Sequence, residues 1–383
     1  MKNICIITSS RADFDLLYHT LYEIKNSDRL NLQLIVTGSH LLQEHGYTVK
    51  DIEEHGFSID YKIKLRDESD SAGVVDNFNK TLKEVSLAIK NLKPHLFIVL
   101  GDRYEICAAA LSAFINNIPL AHIHGGEVTL SAQDDAMRHS ISKMSSLHFV
   151  ANKIYKKRVI QLGEKPSTVN IVGALGAERI KKISIFNRED LQKKLDFELK
   201  KENVIVTYHP ETLKKGQNKR NFQELLQALE RRRNLGVIFT SPNMDAEAFQ
   251  LKKLIKLFIK RNPERSIFYS SMGAKLYFST LHYVDCVLGN SSSGMIEAPI
   301  LGVPTINVGD RQTGRVLYPS ILNCEPAENK ILESIDLAIS SKFKKKALNS
   351  KNKGQANNSS KIIYNKLLSY NYSDNLLKGF YDL

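Results

Sequence analysis

A chain of 383 residues with 42% hydrophobic and 25% charged side chains is too rich in apolar residues for a disordered polymer and too long for one ordinary core. No apolar run reaches the roughly 18–20 residues that cross a bilayer, and the opening MKNICIITSSRAD reads as a first strand, not a secretory leader, so a cytoplasmic protein is expected. The formal charge of +13 is uneven: residues 1–180 hold 21 Lys+Arg and 21 Asp+Glu, and the remaining 33 and 20 supply the whole excess. The lysine run Lys344 to Lys346 has a single aromatic, Phe343, beside it, so the basic half reads as a holder of an anionic small ligand and not of nucleic acid. Four scattered cysteines without CxxC spacing read as reduced core thiols.

In chain order, 2–8 is a strand, a helix runs to about Asn26, and Leu32 to Thr37 is the next strand. A short helix at 48–55 and a strand at 59–65 precede a helix at 76–92 and the strand Leu96 to Leu100. Helix 104–116, strand 119–123, helix 134–145, strand 147–151, helix 152–163 and strand 168–172 follow. Residues 176–202 are charged and irregular, and read as a crossing with one surface helix. A second series then alternates strands at 204–208, 236–239, 266–269, 285–288 and 304–308 with helices at 219–233, 245–260, 273–281 and 294–301. The tail reads as a helix at 328–340, a Lys/Asn/Ser-rich loop at 341–360 and a last helix near 361–369. Strands alternating with helices of this length predict parallel sheets built from right-handed βαβ units. The fold class is therefore α/β, with two Rossmann-like doubly wound domains facing a cleft. The expected domains are 1–178, 179–360, and a C-terminal stretch 361–383 packing back on the first.

The unusual polar residues fall just after strand C-termini, the ligand edge of such sheets. They include Arg11, Asp13, His40, Asp102, Arg103, His124, Glu127, His209, the Ser241-Pro242-Asn243 run, Ser291 and Ser292. Helix capping is the alternative for Asp13, Asp102 and Asp134 individually. The small-residue turn Gly289-Asn290-Ser291-Ser292-Ser293-Gly294 before a helix is suited to a phosphate. Glu297 lies one turn into that helix, placed for ribose hydroxyls, and Arg311 and Arg315 could close over a diphosphate. Asp134 and Arg138 share one helix face at i, i+4. No metal-ligand spacing, GxSxG, GxxxxGK[ST] or GxGxxG is present, so no metal and no nicotinamide cofactor are expected.

Taken together, TSSRADFDLL, VLGDRYE, HIHGGE, DDAMRHSISKMS, KKRVIQLGEKP, YHPETL and GNSSSGMIEAP with GDRQTGR resemble the hydrolysing UDP-N-acetylglucosamine 2-epimerases of sialic acid biosynthesis, in order, from residue 1 to about 320. The resemblance implies the glycosyltransferase-B pairing of two Rossmann domains, no cofactor, and a homo-oligomer, dimer or tetramer. It also implies a reaction: anti elimination of UDP with loss of the C2 hydrogen, then hydration of the 2-acetamidoglucal to N-acetylmannosamine. A sister group acts on the 2,4-diacetamido-trideoxy analogue for legionaminic acid. By motif, Arg11, Arg103 and His209 would contact the diphosphate. Ser291 and Ser292 would hold phosphate oxygens, Glu297 the ribose, Arg311 the phosphate or sugar, and Asn243 would join the UDP-sugar contacts. Asp102 and Asp134 match two catalytic acidic positions, with Arg138 in the same motif as Asp134. Many relatives read HIEGGE where this chain has His124, so two assignments stand: His124 moves protons with Glu127 and Asp102 beside it, or His124 only binds while Asp102 and Asp134 react. Asp15-Leu16 replaces a Ser-Lys pair of some relatives and is given no role. A non-hydrolysing epimerase lacks support because HRREN-like and VEAGLR-like motifs are missing; a glycosyltransferase or a catalytically inactive sensor of the same fold are the other readings.

Overall fold

The computed structural model describes residues 1–67, 71–129, 133–211, 216–242, 247–350, 358–372 and 378–383. They divide into two compact units. The first gathers the described residues within Met1–Glu127, Gln133–Lys181 and Gln355–Leu383, the second those within Val128–Ala132 and Lys182–Gly354.

In the first unit, β1 (Lys2–Thr8), β2 (Leu30–Val36), β3 (Tyr61–Lys62), β4 (Leu96–Leu100), β5 (Leu120–Ile123), β6 (Leu147–Val150) and β7 (Val169–Ile171) form one parallel sheet in the order β3-β2-β1-β4-β5-β6-β7. Side chains alternate across it, as strand geometry demands. Ile4 and Ile6 of β1 enter a core with Phe14, Leu17 and Leu21 of the Arg11–Lys25 helix. Cys5 and Ile7, alternating with them, enter a second core with Val85, Ala88, Ile106 and Ala109. Helices thus cover both faces, which is why the strands are continuously apolar and not alternating in sequence. Ile363 and Leu367 of the Ser359–Leu368 helix lie in the first core, so the chain's end packs on the unit that holds its beginning.

The second unit repeats the plan. Its strands are β8 (Glu202–Thr207), β9 (Leu235–Thr240), β10 (Ser266–Tyr269), β11 (Cys286–Gly289), β12 (Thr305–Val308) and β13 (Ile321–Cys324), all parallel, ordered β10-β9-β8-β11-β12-β13. In both sheets the strand order reverses beside the first strand, between β1 and β4 and between β8 and β11. Ligands of doubly wound sheets bind at that switch point, outside the strand C-termini.

Three local expectations are corrected. The crossing region holds two helices, Leu175–Lys182 and Arg188–Leu195, because Asn187 caps the second: its side chain accepts from the Asp190 amide. The strand β13 was not expected; its sequence, ILNC, is short and carries a polar Asn323 that bonds Asn307 of β12. The described part of the basic tail is helical from Ser341 to Asn349, capped by Ser340, with Phe343 and Ala347 buried, Lys342, Lys345 and Lys346 exposed, and Lys344 bonded to Asp285. That is an ordinary amphipathic helix. Among the described residues no helix is long and apolar enough to cross a membrane.

Candidate active site

At the first unit's switch point, the turn after β1 enters its helix through Ser10, whose side chain accepts from the Asp13 amide. Asp13 reaches back to the Ser9 amide at 3.3 Å and the Ser9 hydroxyl at 2.7 Å. Burial pushes the Asp13 carboxyl up, against the pull of the Ser9 hydrogen bond and of Arg103 nearby. Arg11 pairs with Asp51 at 3.0 Å and lies 3.9 Å from Asp15, and about a third of its side chain is exposed. Arg103 holds Glu105 at 2.6 Å with that carboxylate buried. Both cations are therefore steadied by carboxylates, which orients a long, flexible side chain.

Next to them, Asp102 follows β4 and is bonded by Arg138 of the Asp134–Met144 helix. Arg138 is only 2% exposed; it also bonds Asp135 at 3.1 Å and the Glu127 carbonyl at 2.9 Å. Asp135, which the motifs do not single out, pairs with Arg138 at i+3 and His139 at i+4. Asp134 is half-buried in the first turn of the same helix. Arg138 thus ties three segments, one after β4, one after β5 and one helix, with a planar fork that a lysine could not match.

His124, directly after β5, sits in the left-handed region at φ 69°. Its amide donates to Phe149 O at 2.9 Å, which prolongs the β5–β6 ladder and holds the strained residue in place. Its Nδ1 lies 3.2 Å from Glu127 Oε1, a contact that puts the proton on Nδ1. Nε2 is then a lone-pair acceptor, and it is buried with no hydrogen-bond partner among the described residues. A carboxylate-oriented imidazole with an unused lone pair is the arrangement of a general base.

Two further histidines give this edge its rigidity. His122 donates from Nε2 to Gly101 O at 2.8 Å and accepts at Nδ1 from the Ser142 hydroxyl at 2.9 Å, joining the Asp102 turn to the Arg138 helix. His40 bridges the hydroxyls of Thr8 (3.1 Å) and Thr48 (2.8 Å). Burial brings both imidazoles down to about 3, so both are neutral at pH 7. A histidine whose pKa is depressed on folding stabilises the native state above its unfolded value and loses that contribution as pH falls toward the folded one. Between about pH 6.5 and 3, each should therefore cost the first unit about 1.4 kcal/mol per pH unit. Acid denaturation followed by circular dichroism should show this slope, and His122→Gln, which keeps a donor and an acceptor but cannot charge, should lack one proton's share of it.

At the second unit's switch point, β11 ends at Gly289, whose φ of 133° and close approach to Thr207 O leave no room for a Cβ. Asn290 follows, fully buried. Its side chain accepts from the His209 amide at 2.7 Å and donates to the His209 carbonyl at 2.9 Å. Its own carbonyl accepts from Gln312 Nε2 at 2.7 Å and Arg311 Nη1 at 3.3 Å. One asparagine therefore stitches the YHPE, GNSSS and GDRQ segments together, a role invisible in a run where the serines draw attention. Ser291 is the N-cap and Ser292 the first residue of the Ser292–Leu301 helix, two residues earlier than Gly294, because Ser291 Oγ accepts the Ser293 amide. Glu297 is half-buried one turn on, and Pro299 is tolerated within the helix. A cavity of ≈ 450 Å³ opens among Asn307, Gln312, Arg315 and Asn323. Asn243 lies outside the described residues. Asn290→Ala should remove both side-chain hydrogen bonds to the His209 backbone, a loss of about 1–3 kcal/mol, and loosen the serine turn. Differential scanning calorimetry should show a lowered Tm.

Two parallel sheets with their polar residues at the switch points make this a two-domain Rossmann protein of the glycosyltransferase-B type. Of the solved structures, UDP-GlcNAc 2-epimerase from Neisseria meningitidis, bound to UDP-GlcNAc, superposes with a TM-score of 0.81 over 97% of this chain and 100% of that one, at 18% identity. A family model described as UDP-N-acetylglucosamine 2-epimerase matches residues 22–367, and the chain belongs to that family. It is 39% identical to the GDP/UDP-N,N'-diacetylbacillosamine 2-epimerase (hydrolyzing) of Campylobacter jejuni, over 85% of this chain and 84% of that protein. To the polysialic acid biosynthesis protein P7 of Escherichia coli it is 37% identical, over 90% of this chain and 88% of the relative.

Proposed function

We propose that the protein is a hydrolysing 2-epimerase that converts UDP-N-acetylglucosamine and water to N-acetylmannosamine and UDP. The observation that carries this reading is the cluster of Asp102, Arg138, Glu127 and His124 in a chain of this family. In the first step a base removes the C2 proton while the C1–O bond to UDP breaks, leaving a 2-acetamidoglucal. In the second, water adds its hydroxyl to C1 and a proton reaches C2 from the opposite face. The C2 proton is poorly acidic, so base, acid and stabilised leaving group are all required. We assign the proton work to His124 Nε2, oriented by Glu127, with Asp102 and Asp134 as the acidic partners. Arg11, Arg103, His209, Ser291, Ser292 and Arg311 receive the departing diphosphate, and Glu297 takes the ribose. The basic balance of the second half suits an anionic leaving group.

A second reading keeps the reaction and changes the sugar to the 2,4-diacetamido-2,4,6-trideoxy analogue. The 39% identity to the Campylobacter jejuni enzyme favours it. Proton NMR of the purified protein in deuterated water, with each UDP-sugar, tests both. N-acetylmannosamine bearing deuterium at C2 together with free UDP supports the first reading. Turnover of the diacetamido sugar alone selects the second, and no turnover of either sinks both.

A further inference from the structure

The Asp134–Met144 helix is held at its Arg138 end by ion pairs, and its other end is held by a residue from far along the chain. The last carbonyls of a helix have no partner within it and attract cations. Here Lys378 Nζ donates to the carbonyls of Ser142 at 3.3 Å, Lys143 at 2.5 Å and Ser145 at 2.5 Å, and bonds Glu164 at 2.7 Å. Glu164 is buried and also accepts from Lys143 at 3.1 Å and from His148 Nε2 at 3.0 Å, so the lysine meets an anchored carboxylate. The short C-terminal stretch is seated by more than this one side chain. Phe380 packs on Gly163, where even a methyl group would collide with its ring, and the Lys143 ammonium stands 4.7 Å from the ring centre. The Tyr381 amide donates to Gly163 O at 2.9 Å.

From this end of the helix a continuous path leads to the reacting edge. Ser142, whose carbonyl Lys378 holds, uses its hydroxyl to meet His122, and His122 holds Gly101, the residue before Asp102. One turn back on the same helix, Arg138 bonds Asp102 itself. We propose that Lys378 is a positioning residue: by fixing the C-terminal end of the Asp134–Met144 helix it sets the placement of Arg138 and Asp102. The catalytic part of this rests on the epimerase reading above; the structural part does not.

Lys378→Met keeps the apolar stem and removes the cation, whereas Lys378→Arg keeps a cation. With whichever UDP-sugar the wild type turns over, Lys378→Met should lower kcat about tenfold with KM changed less than twofold, and Lys378→Arg should recover at least half of the loss. Hydrogen exchange should rise about tenfold over both 138–144 and 101–103, and stay unchanged in the second unit. Phe380→Ala, which unseats the stretch without touching the helix carbonyls, should move the same amides in the same direction and serves if Lys378→Met does not fold. Unchanged exchange at 101–103 overturns the proposal whether or not the protein turns over either sugar. Raised exchange with kcat within twofold of wild type overturns it as well. If the wild type is inactive on both sugars the epimerase reading fails, and the exchange pattern alone decides this one.

Discussion

His124→Asn is expected to lower kcat by about 10²–10⁴-fold, the range supplied by general acid–base catalysis, with little change in Tm. The choice of asparagine separates chemistry from folding. At φ 69° the native residue sits where asparagine is among the best tolerated side chains, so the backbone loses nothing in the exchange. What disappears is the Nε2 lone pair of the ring that Glu127 orients at 3.2 Å. Steady-state kinetics and the rate of C2 deuterium exchange are the measurements, and both should fall together. The pH–rate profile gives the sharper check, because it should change shape in the variant. A His124→Glu enzyme with full activity and an unchanged pH profile would return the proton work to Asp102 and Asp134.

Arg138→Met should destabilise the first unit by about 3 kcal/mol, near 10 °C in Tm for a unit of this size, and lower kcat more than tenfold. The Arg138 side chain is 3% exposed, and its removal takes from Asp102 and Asp135 the buried guanidinium that both of them bond. Both carboxylates are 21% exposed, so water takes up part of the loss and the cost stays at the low end for a broken buried pair. Lys at this position retains the charge but reaches only part of the three-way fork, so Arg138→Lys should fall between wild type and Arg138→Met in calorimetry. Equal stability of all three proteins would show that the Asp102 turn is fixed by His122 and Ser142 alone.

Much of the architecture was legible from residues alone because it depends on local patterns. Apolar runs such as Leu96 to Leu100, each closed by a turn and followed by a helical period, announce buried parallel strands whatever surrounds them. The polar residues at their C-terminal ends stand out for the same reason, so Asp102, His124, His209 and Ser291 could be picked without coordinates. Where the local signal is weak the reading failed. The strand β13 is four residues with an asparagine inside, and its pairing with β12 supplies the order its sequence lacks.

What the tertiary structure decided is who holds whom. Asn290 and His209 are 81 positions apart, Arg138 and Asp102 are 36, and Lys378 and Ser142 are 236. No periodicity or motif spacing carries such information, because contact between distant residues is set by sheet order and by the turns that bring strand ends to one edge. The same holds for hydrogen bonding: His122 and His124 are two residues apart in one motif, yet one is a strut with both nitrogens bonded and the other keeps Nε2 without a partner among the described residues. The sequence by itself determined the two parallel sheets and the residues at their ligand edges. The packing around those edges determined which of these residues brace the turns and which keep a buried atom without a partner among the described residues, since burial and hydrogen bonding are properties of the folded neighbourhood and not of the residue type.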